Sequence, residues 1–340
     1  MQARILFLTD LHKRDTDFTT IVGYTKAIEQ VQEDILAFVE KHNVTHIVIG
    51  GDWYDKGYRN INRTLNDINY DRAISKAVNG NVFLCRGNHL YIERDSNPEM
   101  YIIQPCEAMP LIHNIRHQGE PIFQSPDVIQ IGPIQISLFH FSKDVKDYVM
   151  PRNAETEFHI GVYHDDVMLP SSVRQMAGDH GMTSSKDLDH YFGNIDLAIC
   201  NHIHTAVGQV KIPSCGRTVP MFIPGSLCIT KNQPSELHSE TMLPVVTLED
   251  DGLVRVSLAK FSLHMEMLKL YKKKETKSLE EEANNISQKD ISEILGSRPT
   301  ASLKETLISK GYNSSDLQIV DEAALGILSL DRALMLAGGT

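Results

Sequence analysis

The sequence predicts an α/β fold: a two-sheet β-sandwich flanked by helices, with a small C-terminal helical module. Three observations predict it. Residues 4–85 alternate strand, helix, strand, helix, strand, with Asp10, Gly51 and Gly87 close behind the strands. Residues 121–262 switch to closely spaced short strands. After residue 262 the chain turns basic and then helical. It therefore divides into an α/β domain over residues 1–262 and a linker with a helical module over 263–340. The 340 residues suffice for one domain of about 250 residues plus an appendage.

The elements follow in order. Residues 4–9 read as a buried strand ending at Asp10. Residues 20–41 read as an amphipathic helix, because Ile21, Tyr24, Ile28, Val31, Ile35 and Val39 recur at three- and four-residue spacing. Residues 44–50 are a β-branched run leading into Gly51-Asp52, 61–79 a polar helix, and 81–85 a third strand leading into Gly87-Asn88-His89. Such alternation implies crossover connections and a largely parallel sheet, whose functional groups gather past the carboxyl ends of the strands. Further strands are expected at 121–124, 128–131, 134–141, 158–164, 195–200, 206–212, 218–223, 243–248 and 253–261, with helices near 97–108 and 184–192. The first half should supply one sheet and the second half the other. In the module, helices are expected at 279–286, 289–295, 302–309 and 314–328, the last started by Ser315 and Asp316.

Composition narrows the function. Hydrophobic residues make up 41% and charged residues 23%, as in ordinary globular chains. No apolar run approaches the ~20 residues that span a bilayer. Met1-Gln2-Ala3-Arg4 enters a strand at once, without a signal-peptide pattern. The expectation is a cytoplasmic protein, in a bacterial cell or phage-infected host, with no membrane partner. Cys85, Cys106, Cys200, Cys215 and Cys228 are scattered, and read as reduced core thiols. The net charge of −11 argues against a long DNA footprint, which draws on a basic surplus. It leaves catalysis open, because bound cations add positive charge locally.

Five segments carry chemistry: Asp10-Leu11-His12, Gly51-Asp52, Gly87-Asn88-His89, His164, and His202-Ile203-His204. Each lies at or just past the end of an expected strand. The two-residue spacing of Asp10 and His12, and of His202 and His204, points both members of each pair to one side of an extended backbone. Taken singly, each segment is more often a cap or a turn; their order along the chain lifts the joint case. Mixed Asp, Asn and His donors suit Mn²⁺, Fe²⁺ or Zn²⁺ better than Ca²⁺.

In that order the segments resemble the calcineurin-like metallophosphoesterase superfamily over residues 4–262. Two positions depart from its pattern: Leu90 stands where an acidic residue is usual after Gly-Asn-His, and Asn201 where Gly is usual before His-x-His. The resemblance implies that Asp10, His12 and His204 hold one divalent metal ion, that Asn88, His164 and His202 hold a second, and that Asp52 bridges them. It implies Mn²⁺ first, with Fe²⁺, Zn²⁺ or Mg²⁺ as alternatives. Two such cations, about 3.5–4 Å apart, would activate a shared water for in-line displacement. His89 would stabilise the transition state or protonate the leaving oxygen. Asp55 would support the site from behind, or serve as a surface turn.

Within the superfamily the sequence is similar to the nuclease subunit of SbcCD-type DNA repair and recombination complexes. Gly50-Gly51-Asp52-Trp53-Tyr54-Asp55 and residues 222–230, with their Pro224-Gly225-Ser226 turn, carry that likeness, and the strands expected at 243–248 and 253–261 fit its closing hairpin. It implies an exo- or endodeoxyribonuclease with DNA as substrate, a coiled-coil ATPase as partner, and a homodimer as a further arrangement. The helical module would dock on the ATPase, or else cover a sheet edge. The alternatives are a stand-alone phosphodiesterase or phosphatase on nucleotides or phosphoproteins, and a scaffold that kept the fold without the chemistry.

Overall fold

The computed structural model describes residues 2–14, 16–55, 61–90, 122–141, 151–164, 192–214, 216–230, 237–238 and 240–271. They lie in a compact unit spanning Met1–Lys272. The helices expected near 97–108 and 184–192, and those of the C-terminal module, lie outside the described residues, as do Cys106 and Cys215. Cys85, Cys200 and Cys228 are buried and form no disulfide among the described residues. Among the described residues, no helix is long and apolar enough to cross a membrane.

The chain opens with β1 (Ala3–Leu8), β2 (Ile21–Val22), α1 (Tyr24–Lys41), β3 (His46–Ile49), α2 (Ile61–Ala77) and β4 (Val82–Leu84). Strand β1 alternates between two cores, as period-two side chains must. Leu6 and Leu8 join Ile28, Val31 and Ile35 of α1 and Ile68 and Ile74 of α2, whereas Ile5 and Phe7 face the other sheet. β3 runs parallel to both β1 and β4, and the register aligns Leu8 with Ile49 and Ile49 with Leu84. The three strands therefore end level, and the loops that follow them emerge along one edge.

The second sheet comprises β5 (Val128–Ile131), β6 (Ile134–Phe139), β7 (Phe158–Tyr163), β8 (Leu197–Cys200), β9 (Gly208–Ser214) and β10 (Arg217–Ile223), in the order β5-β6-β7-β8-β10-β9. Its central strands are parallel, with antiparallel β5 and β9 at the edges. Ile134, Ile136, Leu138, Ile160, Val162 and Ile199 interleave with Ile5, Phe7 and Val48 between the sheets. That buried layer makes the predicted sandwich.

The division of strands between the sheets differs from expectation. β11 (Glu240–Leu248) and β12 (Val254–Ser262) return to the first sheet, whose order is β12-β11-β1-β3-β4. β11 pairs antiparallel with β1. Val246 and Leu248 enter the layer between the sheets, while Leu243 and Val245 face the helices. Both faces of β11 are apolar, so it fits a covered position beside β1. Residues 122–124 form a single bridge, Phe83 to Gln124, rather than a strand. The first helix begins at Tyr24, because Ile21 and Val22 pair instead with β13 (Lys269–Leu270).

Candidate metal centre

All five chemistry-bearing segments arrive at the same edge. Asp10 and His12 follow β1, Asp52 follows β3, and Asn88 and His89 open a 3-10 turn after β4. His164 directly follows β7, and His202 and His204 follow β8. Glycines make the room: a Cβ on Gly51 would lie 1.9 Å from His164 Nδ1, and one on Gly87 would lie 2.1 Å from Asp52 Oδ1. Three of the functional residues adopt left-handed backbone, His12 at φ 49°, Asp52 at φ 38° and His202 at φ 74°. Non-glycine residues occupy that region at a cost, and then mainly where the surroundings hold them there.

Asp10 is fully buried. Its Oδ2 accepts hydrogen bonds from Thr9 Oγ1 (2.7 Å) and the His202 amide (3.2 Å), while Oδ1 has no hydrogen-bond partner among the described residues. The Nε2 atoms of His12 and His204 lie 3.0 Å apart, and His204 Nδ1 meets Thr230 Oγ1 at 2.9 Å. Burial, and after it the neighbouring His204, push the His12 imidazole well below its usual value. His12 is therefore a neutral donor near pH 7. Asp10, His12 and His204 offer ligand atoms all within 4.8 Å of one another.

The second cluster centres on Asp52. Its Oδ1 accepts the His89 amide (3.0 Å). Its Oδ2 faces Nε2 of His164 at 3.3 Å, of His89 at 3.8 Å and of His12 at 3.9 Å. Burial alone would raise this carboxyl, but His164, then His12 and His89, hold it well below the carboxylate range. His164 donates from Nδ1 to the Gly50 carbonyl (2.9 Å), leaving Nε2 opposite two oxygens, Asp52 Oδ2 and Asn88 Oδ1 (3.2 Å). Burial lowers the His164 value, yet Asp52 and Asp10 outweigh it and push it up to about 9. Asp52, His164 and His202 form a second group within 4.8 Å.

The donor set fits divalent cations. Asp10 Oδ1 and Asp52 Oδ2 are buried with no hydrogen-bond partner among the described residues, a state that carries a desolvation penalty until something positive satisfies it. Nε2 of His164 faces two oxygen lone pairs, which calls for a proton or a cation between them. The partners behind the imidazoles, the Gly50 carbonyl and Thr230, orient ring nitrogens as ligand supports do.

A third group, His12, Asp55 and His89, also lies within 4.8 Å. His89 Nδ1 donates to Asp55 Oδ1 (2.6 Å), and Asp55 Oδ2 pairs with Arg14 Nη1 at 3.4 Å. Asp55 thus orients His89. A pocket of about 280 Å³ opens above the centre, lined by His12, Asp52, Asn88, His89, His202 and His204, with Phe18, Asp55 and Thr230 at its margin. Asp10 and His164 lie buried beneath. Every residue singled out in the sequence for the site is brought to this place.

Phe18 and Thr230 are not among the site residues expected from sequence, although Thr230 closes the 222–230 segment. Thr230 ends the segment that begins Pro224-Gly225-Ser226. That segment runs along the site, its Ser226 amide donating to the His204 carbonyl (3.1 Å) and its Leu227 amide to that of Asp10 (2.8 Å). Its position after a conspicuous turn was the one available signal. Phe18 had none.

Strand tips of two packed sheets that converge on paired Asp/His/Asn clusters define a metal-dependent hydrolase. The chain belongs to the calcineurin-like phosphoesterase family, whose model matches residues 3–206. No curated protein sequence matches it. Among solved structures it is similar to a dimetal phosphatase from Danio rerio, at 11% identity and a TM-score of 0.43 over 77% of this chain and 96% of that one. It is also similar to YfcE, a phosphoesterase from E. coli, at 14% identity and a TM-score of 0.32 over 77% of this chain and all of that one.

Proposed function

We propose that this protein is a stand-alone two-metal phosphodiesterase or phosphatase that hydrolyses phosphate esters of nucleotides or phosphoproteins. The observation that carries this reading is the position of Asp52, whose carboxylate stands between the Asp10–His12–His204 group and the imidazoles of His164 and His202. Two divalent cations, when bound, supply Lewis acidity to the phosphoryl oxygens and to an attacking water. Asp10, His12 and His204 would hold one, Asn88, His164 and His202 the other, and Asp52 both. His89, its Nδ1 fixed by Asp55, turns Nε2 toward the pocket. From there it can give a proton to a departing ester oxygen or hydrogen-bond the phosphoryl group. The net charge of −11 suits a small ester better than a long polyanion.

A second reading, the nuclease subunit of an SbcCD-like complex acting on DNA, draws on the Gly51–Asp55 segment. Asp55 of that segment holds His89, while Trp53 and Tyr54 are buried. One assay separates the two readings. The full chain with Mn²⁺ is given bis-p-nitrophenyl phosphate, p-nitrophenyl phosphate, and single- and double-stranded DNA. Hydrolysis of the small esters with DNA left intact is expected, and is lost in His89→Asn at unchanged metal content. Efficient DNA cleavage with the small esters untouched would transfer the assignment to the nuclease. Bound metal without hydrolysis of any ester would leave only the scaffold.

A further inference from the structure

Behind the metal centre, Lys13, Asp71, Trp53 and Tyr54 converge in a buried cluster that the chemistry above does not use. Lys13 and Asp71 are both fully buried, and Lys13 Nζ donates to Asp71 Oδ1. The same carboxylate accepts from Trp53 Nε1 (2.9 Å) and from the Tyr54 hydroxyl. The ammonium also stands over the rings of Trp53 (4.5 Å), Tyr54 (5.0 Å) and Tyr70 (5.2 Å). A buried charge pair is weak evidence for stability in itself, so its placement matters more.

Lys13 directly follows His12, and Trp53 directly follows Asp52. The loops that carry them are joined by three backbone hydrogen bonds: His12 N to Asp52 O (2.9 Å), Lys13 N to Trp53 O (3.0 Å) and Asp55 N to Lys13 O (2.8 Å). Both loops thus send the next side chain back to one carboxylate on α2. His12 and Asp52 themselves sit in left-handed backbone, which local preferences would relax if nothing held it.

We propose that Asp71 is a positioning residue that fixes the spacing of His12 and Asp52 through Lys13, Trp53 and Tyr54, and thereby sets the affinity of the metal pair. The proposal rests on the two-metal reading of the site. Removing a group that orients ligands from behind typically weakens metal binding by about 10–100-fold.

The test is calorimetric titration of the metal-free full chain with Mn²⁺, which needs no ester substrate, alongside thermal unfolding in chelator. Wild-type protein that takes up no Mn²⁺ would overturn the two-metal reading itself, before any variant is compared. Lys13→Met/Asp71→Asn removes the charge pair together, so no lone charge remains buried. It is expected to unfold cooperatively and to bind Mn²⁺ about 10–100-fold more weakly. A cooperatively folded double variant with wild-type Mn²⁺ affinity overturns the proposal. Should that variant not fold, Tyr54→Phe decides. It removes one hydroxyl, and a severalfold loss of Mn²⁺ affinity at an unchanged metal-free melting point supports the proposal. Unchanged affinity, or a lower melting point with unchanged affinity, overturns it in favour of a purely structural cluster.

Discussion

A Cβ on Gly50 would lie 2.2–2.3 Å from the three terminal atoms of the Asn201 side chain. Asn201 is buried, and its Nδ2 donates to the Tyr163 carbonyl (3.1 Å), which also accepts the Asn201 amide (2.8 Å). The two positions share one space. Asn201 stands where the family pattern has Gly, and the missing side chain at 50 gives its amide room beside the carbonyl that orients His164. Gly50→Ala is therefore expected to destabilise the metal-free protein by about 1–3 kcal/mol through overpacking. Adding Asn201→Gly should recover part of that loss, leaving a coupling of about 0.5–3 kcal/mol. Urea unfolding of both single variants and the double measures it, and strict additivity would contradict the shared space. At this scale the candidate ligand types were legible in sequence because each segment follows a strand end. The Gly50–Asn201 contact was not, since it joins residues from different sheets.

Helix α1 starts four residues later than the expected 20–41 span. Ile21 lies on the same buried side as Tyr24 and Ile28, so spacing alone extends the helix back to it. The chain instead turns at Gly23 (φ 89°), where a Cβ would meet the Met267 carbonyl at 2.2 Å. Asp17 secures the start, its carboxylate accepting from the Gly23 amide (2.7 Å), the Thr25 amide (2.8 Å) and Thr25 Oγ1 (3.0 Å). Asp17→Ala should lower stability by about 1 kcal/mol, the usual loss for an N-terminal cap, read by thermal or urea unfolding. Partial burial raises the Asp17 carboxyl, but the bonds from Thr25 and Gly23 outweigh it and hold it below its ordinary value. The unfolded chain then binds this proton more tightly than the folded one. The stability from Asp17 is complete above the ordinary carboxylate value and is lost as pH falls through the lowered one. The difference between wild type and Asp17→Ala should therefore vanish in acid. A gap that persists undiminished at low pH would rule out the charged cap.

Across the whole molecule, two sheets bring Asp10, Asp52 and Asn88 from one side against His164, His202 and His204 from the other. Without metal, the His164 imidazolium neutralises part of this cluster. Its folded value is raised to about 9, so its contribution is complete below the ordinary histidine value of about 6.5. That contribution is lost as pH rises through about 9. Metal must displace the same proton, so binding should release protons and tighten as pH rises toward 9. Calorimetry in buffers of different ionisation enthalpy reads the proton count, and no proton release at pH 7 would contradict the assignment of His164 as a ligand. Chelation should lower the melting temperature. Mn²⁺ at about a thousandfold its dissociation constant should return about 4 kcal/mol, as linkage requires.

The sequence by itself determined the α/β class, the strand–helix order of residues 4–85 and the candidate donor residues, because periodicity and strand-end motifs are local properties. It could not assign β11 and β12 to a sheet, since pairing with β1 is a contact across most of the chain that neighbouring residues do not encode. Nor could it reveal that Asp55 meets His89, or that Lys13 and Asp71 meet behind the candidate ligands. Those were decided when the sandwich closed, because only the packed sheets exclude water and force each buried charge to find its partner.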